Sequence, residues 1–98
     1  VELAVDPARE RDLVEAYQTF FQPAIQRQAG FVEVKLLKHR ATTVGEGRPE
    51  ASYRLLISFH TEEQRQAWVA SDDHQRAWPK IGNLIDGAKL RAELYDIV

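Results

Sequence analysis

Two runs of alternating polarity, separated by a segment too rich in glycine and proline for helix or strand, constrain the fold of this 98-residue chain most strongly. From Phe31 to Arg40, Val32, Val34 and Leu36 fall on one side of an extended backbone, while Phe31, Glu33, Lys35, Leu37 and His39 fall on the other. Successive side chains of a strand point to opposite faces, so the pattern is that of a strand. From Ala51 to His60, Tyr53, Leu55, Ile57 and Phe59 share one side opposite Ser52, Arg54 and Ser58, and Leu56 breaks the polarity of the second side. Between the runs, Ala41 to Glu50 carries Gly45, Gly47 and Pro49 among polar neighbours, a composition that favours a mobile turn. Joined in this way, the two strands form a long-looped hairpin with one apolar face.

The flanking segments supply helices and two further strands. Val1, Leu3 and Val5 alternate with Glu2, Ala4 and Asp6 as a short opening strand. Asp6-Pro7 ends it and opens a helix, because an acceptor side chain caps free backbone donors and proline at the first helical position sacrifices none. Leu13, Tyr17, Phe20, Phe21 and Ala24 recur at steps of three and four, which places an apolar stripe against a core. Pro23 predicts a kink or a break before Gly30 closes the element.

After the hairpin, Thr61-Glu62-Glu63-Gln64 has the form of a capping box, and Ala67, Trp68, Ala70 and Ala77 are the expected buried stripe of a second helix. Ser71-Asp72-Asp73 reads as a fresh cap and Pro79 as a stop, so two helical pieces joined at Ser71 are expected. Ile81, Leu84 and Ile85 predict one more turn against the core. In the last segment, Ala88 to Val98, Leu90, Ala92 and Leu94 alternate with Lys89, Arg91, Glu93 and Tyr95, a final strand expected to face the helices. The order β-α-β-β-α-β predicts one α+β domain over residues 1–98, ferredoxin-like, with a four-stranded antiparallel sheet and both helices on one face.

Composition narrows the function. The 13 basic and 15 acidic residues are mixed along the chain, so no cationic surface for a phosphate backbone is expected and nucleic acid is not a predicted partner. The chain has no cysteine, which removes disulfides, thiolate nucleophiles and sulfur-ligated metals. His39, His60 and His74 lie in different elements without metal-binding spacing, and no phosphate-cradling glycine loop is present, so neither metal nor cofactor is expected. His39 and His60 read as solvent-facing residues at strand ends. Apolar runs are too short to span a bilayer and the acidic start is unlike a signal peptide, so no membrane partner is expected and a cytoplasmic home is the default. The chain opens at Val1 and contains no methionine, so further residues are expected to have preceded it.

The sheet face turned away from the helices would carry Phe31, Leu37, Leu56, Tyr95 and Ile97 among Glu33, Lys35, Arg54, Arg91 and Glu93. Either this is a solvated face with scattered apolar residues, or two such faces meet in a homodimer with opposite charges paired at the seam, which is the reading adopted.

Several features together resemble the antibiotic biosynthesis monooxygenase family over nearly the whole chain. They are an aromatic first helix with proline near its end (Phe20, Phe21, Pro23), the Gly30-Phe31 turn into the second strand, and Trp68-Val69-Ala70-Ser71-Asp72-Asp73-His74 after a strand ending in Phe59. The resemblance implies a homodimeric α/β barrel with a pocket between helices and sheet in each subunit, and for some members oxidation of aromatic substrates by O2 without metal or flavin. It makes Trp68, Gln64 one turn before it and His74 six residues after it the candidate catalytic residues. His74 stands where some oxygenating members have tyrosine. Tyr17, Phe21 and Tyr53, with Phe20, would line a cavity for a flat aromatic ligand or would equally serve as packing. Haem-degrading relatives have a histidine late in the second helix and an asparagine in the first strand; Trp78 and an asparagine-free first strand argue against that branch. Two functions follow: a cofactor-independent monooxygenase acting on a small phenol or quinol, and a non-catalytic dimeric domain that binds a small molecule or supports a longer protein.

Overall fold

The computed structural model describes every residue from Val1 to Val98, and it is built around one antiparallel pairing. Strand β2 (Phe31–Lys38) pairs with β3 (Tyr53–Phe59), and the short β1 (Glu2–Leu3) pairs with the other edge of β3, giving the order β1-β3-β2. The hairpin of the sequence is therefore present, with one irregularity. Phe31 pairs with Phe59 but the next pair is Glu33 with Ser58, so Val32 is an extra residue in a bulge. The bulge turns Val32 outward, 48% exposed, and lets Phe31 meet Phe59 edge to face at 6.2 Å beside the core. Strict alternation placed these two residues the other way round. Beyond the bulge Val34 and Leu36 face inward, opposite Ile57 and Leu55.

Asp6 opens the first helical segment by accepting a bond from the Ala8 amide at 2.8 Å, and Pro7–Arg9 makes one tight turn before α1 (Glu10–Ala16). The break expected at Pro23 does not occur. The helical path widens instead into a π turn at Tyr17–Phe21, where the Gln22 amide reaches the Tyr17 carbonyl five residues back, and continues as α2 (Gln22–Gln26). Pro23 directly follows the π turn, whose altered bonding takes up the missing donor. Gly30 ends the connection at a φ of 78°, a conformation that disfavours side chains.

Thr61 caps α3 (Glu62–Ala70) by accepting from the Gln64 amide at 3.1 Å. Ser71 closes α3 and opens α4 (Asp72–Gly82). The stripe of α3 is narrower than predicted: Trp68 is buried, whereas Ala67 and Ala70 are exposed. Pro79 lies inside α4 rather than ending it. Its ring removes only one donor, and the helix is carried one turn further by Ile81, which is fully buried. Leu84 and Ile85 follow, packed against the core as expected.

Leu3, Val34, Tyr53 and Leu55 from the sheet meet Leu13, Phe21, Ile25, Trp68, Ala77 and Ile81 from the helices in one cluster. The result is an α+β molecule whose helices cover one face of a three-stranded antiparallel sheet. No helix is long and apolar enough to cross a membrane.

Residues 88–98 do not lie along the sheet as a fourth strand. Arg91 and Glu2 exchange backbone bonds in a single antiparallel bridge, while Leu94 is 66% and Ile97 91% exposed. Leu90, Ala92 and Leu94 therefore do not pack beneath the helices. Beyond Arg91 no further backbone pairing with β1 forms. On the other side of Arg91, the Ala4 carbonyl accepts from Asp86, and Gly87–Lys89 turns as a 3-10 segment.

Ile81 is buried where α4 leaves the core, so Ile81→Ala is expected to cost about 2–5 kcal/mol, part transfer and part cavity. Val44→Ala in the exposed hairpin loop should stay within about 0.5 kcal/mol. Urea unfolding of the two variants checks both.

Candidate functional site

The hydroxyl of Ser71 accepts from the His74 amide at 3.1 Å and donates to the Trp68 carbonyl at 2.6 Å. These two hydrogen bonds of one side chain tie the start of α4 to the end of α3. The Trp68 and His74 rings consequently meet at right angles, 5.0 Å between centroids and 81° between planes. Phe21, delivered by the π turn, touches Trp68 edge-on at 5.7 Å, and Tyr17 stacks on Phe21 at 6.3 Å. Four of the predicted site residues, Tyr17, Phe21, Trp68 and His74, thus form one aromatic cluster.

A fifth ring was missed. Trp78 lies one helical turn after His74, stacks on it at 6.3 Å and 13°, and meets Phe21 at 6.5 Å. The signal was the i, i+4 spacing within one helix, which aligns two side chains on the same face.

Gln64 sits one turn before Trp68, but its carboxamide folds over Gly30 rather than completing the capping box. A Cβ on Gly30 would stand 1.9 Å from Gln64 Oε1, so this residue leaves the space that the amide fills. Tyr53 does not join the cluster. It is buried at the loop end of the hairpin, opposite Lys38, with Lys38 Nζ 5.9 Å from its ring centroid, and borders a separate hollow of about 360 Å³ with His39, Thr42 and Arg54. Phe20 is also outside, half-exposed beneath the Lys80 ammonium at 4.9 Å.

The cluster is closed. Trp68 is only 3% exposed, and Tyr17 and Phe21 are buried with it in the main core. A second hollow, of about 480 Å³, lies at the far side by Asp6, Arg9, Leu84 and Asp86. As it stands, the packing around Trp68 is that of a core and not of an open pocket.

Two polar atoms are nevertheless stranded there. Gln64 Oε1 and His74 Nδ1 are sealed from water without a hydrogen-bond partner, an arrangement that costs free energy in an apolar setting. Burial disfavours the imidazolium and lowers the His74 pKa from its ordinary value of 6.5, so the ring is neutral at pH 7. Its neighbour Asp73 does not offset this. The Asp73 carboxylate accepts from Gln28 Nε2 at 2.8 Å, is paired with Arg76 at 3.2 Å and Arg27 at 3.4 Å, and is held below the usual carboxylate range mainly by the Gln28 bond. Burial pushes the Tyr17 phenol up, so it stays protonated. Chemically, the cluster offers a neutral imidazole with an unused ring nitrogen among flat apolar rings, and Gln64 holds an unused amide oxygen over Gly30. Such a set can accept a proton and a hydroxyl hydrogen bond.

Because the folded chain binds a proton at His74 less readily than the unfolded chain, this residue adds stability above about pH 6.5 that is lost as the pH falls through the lowered folded value. Urea midpoints between pH 7.5 and 5 should decline for the parent and decline less for His74→Gln. The chain gives no match to any protein-family model, any curated protein or any solved structure.

Proposed function

We propose that the chain is a cofactor-independent monooxygenase of the antibiotic biosynthesis monooxygenase type, acting on a small phenol or quinol. The observation that carries this reading is the neutral His74 imidazole with an unpaired Nδ1, set against Trp68 in a cluster of flat rings. A general base needs to be unprotonated at working pH, and desolvation supplies that condition here. Gln64 Oε1, also unpaired, would accept a substrate hydroxyl, and Trp68 would serve as the flat wall for the ring. Trp68 and Gln64 would have to move aside to admit the substrate.

The chemistry then rests on the substrate as reductant. His74 removes a proton from an activated carbon of an anthrone-like phenol, and the carbanion gives one electron to O2. The resulting radical and superoxide combine in a C–O–O bond. Protonation and loss of water leave a carbonyl, with one oxygen atom in the product and the other in water.

The same reading completes the fold as a ferredoxin-like domain within a dimer. The three-strand order β1-β3-β2 leaves the outer edge of β1 for a fourth strand, and Arg91 already bridges to Glu2 on that edge. Leu37 and Leu56 on the outer sheet face, with Leu94, Tyr95 and Ile97 beyond it, are exposed apolar residues that a second copy would cover. A non-catalytic dimeric domain is the second reading, favoured by the closed packing of Trp68.

Offered anthrone or hydroquinone with a chelator present, the parent should consume O2 above the spontaneous rate, with a loss of about 10²-fold or more in His74→Ala and a smaller loss in Trp68→Phe. Uptake equal to buffer across a panel of phenols would transfer the conclusion to the non-catalytic domain, and a requirement for flavin or iron would overturn the mechanism. Light scattering at micromolar concentration should give a dimer for the parent and a monomer for Leu56→Asp. A monomeric parent would remove the sheet-face interface.

A further inference from the structure

The stripe formed by His74, Trp78 and Gly82 on α4 holds the candidate base from the side opposite in sequence to Ser71. Each follows the last by four residues, so their side chains lie one above another along the helix. The indole of Trp78 lies nearly parallel to the imidazole, 13° apart at 6.3 Å. Two further contacts fix the indole. Phe21 meets it at 6.5 Å and 67° from the π turn. Gly82 leaves it room: a Cβ there would stand 3.2 Å from the indole Nε1 and 3.4 Å from Cε2, closer than ordinary contact. The imidazole is thereby held between two indoles on different helices, Trp68 edge-on and Trp78 stacked.

We propose that Trp78 is a positioning residue: its indole clamps the His74 ring against Trp68 and keeps Nδ1 away from water. This inference rests on the reading of His74 as the base. The charged groups nearby do not supply the same effect. On α4, Asp73 is engaged with Gln28, Arg27 and Arg76. Packed against the ring, α3 presents Trp68, while Phe21 of the π turn presents its own ring to both indoles. Burial is what lowers the affinity of His74 for a proton. Removing the indole therefore lets water reach the ring and should restore ordinary titration.

The test is an NMR pH titration of the His74 imidazole with a carbon-labelled ring. The parent midpoint should lie below the ordinary value of about 6.5. Trp78→Ala should raise it, by roughly half a pH unit or more, and Trp78→Phe, which keeps a flat apolar ring, should hold it near the parent. Gly82→Ala should raise it by a smaller amount, because a methyl group displaces the indole without removing it. A folded Trp78→Ala with the parent midpoint would overturn the clamp. Should that variant not fold, a parent midpoint in Gly82→Ala would overturn it equally, and a raised midpoint there would support it. The two readings fail separately: raised midpoints with no O2 uptake by the parent would keep the clamp and remove the oxygenase, whereas uptake with unmoved midpoints would remove the clamp alone.

Discussion

One hydroxyl group determines how the two halves of the second helical region meet. Ser71 Oγ receives the His74 amide and gives its own proton to the Trp68 carbonyl, so it fills one free acceptor at the end of α3 and one free donor at the start of α4. A cap of this kind contributes about 1 kcal/mol, but its geometric effect is larger than its energy. Without a fixed angle at residue 71, Trp68 and His74 would have no defined relation, and Ala77 and Ile81 further along α4 would not reach the core that they help to close.

The parts of the molecule that were legible in the sequence are those set by short-range chemistry. Asp6 before Pro7, Thr61 three residues before Gln64, and Ser71 before Asp72-Asp73 each announce a helix start because a side-chain oxygen and its backbone donor lie within one turn. Alternation across β3 was equally readable, since every second residue faces the same core. What escaped were features decided by tertiary contacts. The bulge at Val32 follows from bringing Phe31 against Phe59, and no local signal marks it. Pro79 was given its usual helix-breaking weight, yet the burial of Ile81 outweighs the lost bond. The last run alternates as well as any in the chain, but alternation specifies a strand only where a neighbouring backbone is present to pair with it. Of the residues named from the sequence, Tyr17, Phe21, Trp68 and His74 meet in one aromatic cluster and Gln64 lies over Gly30, while Tyr53 lies apart because a face shared along a strand says nothing about distance across the sheet. Trp78 joins the cluster through its spacing from His74, which is visible in the sequence.

The closed state of the aromatic cluster and its two stranded polar atoms belong together. A tightly packed set of rings is stabilising, while an unpaired amide oxygen and an unpaired ring nitrogen work against it. In an interior selected for stability alone, apolar groups of similar shape at residues 64 and 74 would remove that penalty. Retaining the polar groups leaves two unpaired atoms as a standing cost to the folded chain.

The bulge at Val32 has an effect on the outside of the sheet as well. Strand β2 forms one margin of the sheet, with its outward backbone groups unpaired, and a flat apolar margin of eight residues would invite chain after chain to add to it. Here the margin is bent by the extra residue at one end and carries the ammonium groups of Lys35 and Lys38 towards the other. The bend keeps that margin from being a flat template, so edge-to-edge growth from it is opposed by shape.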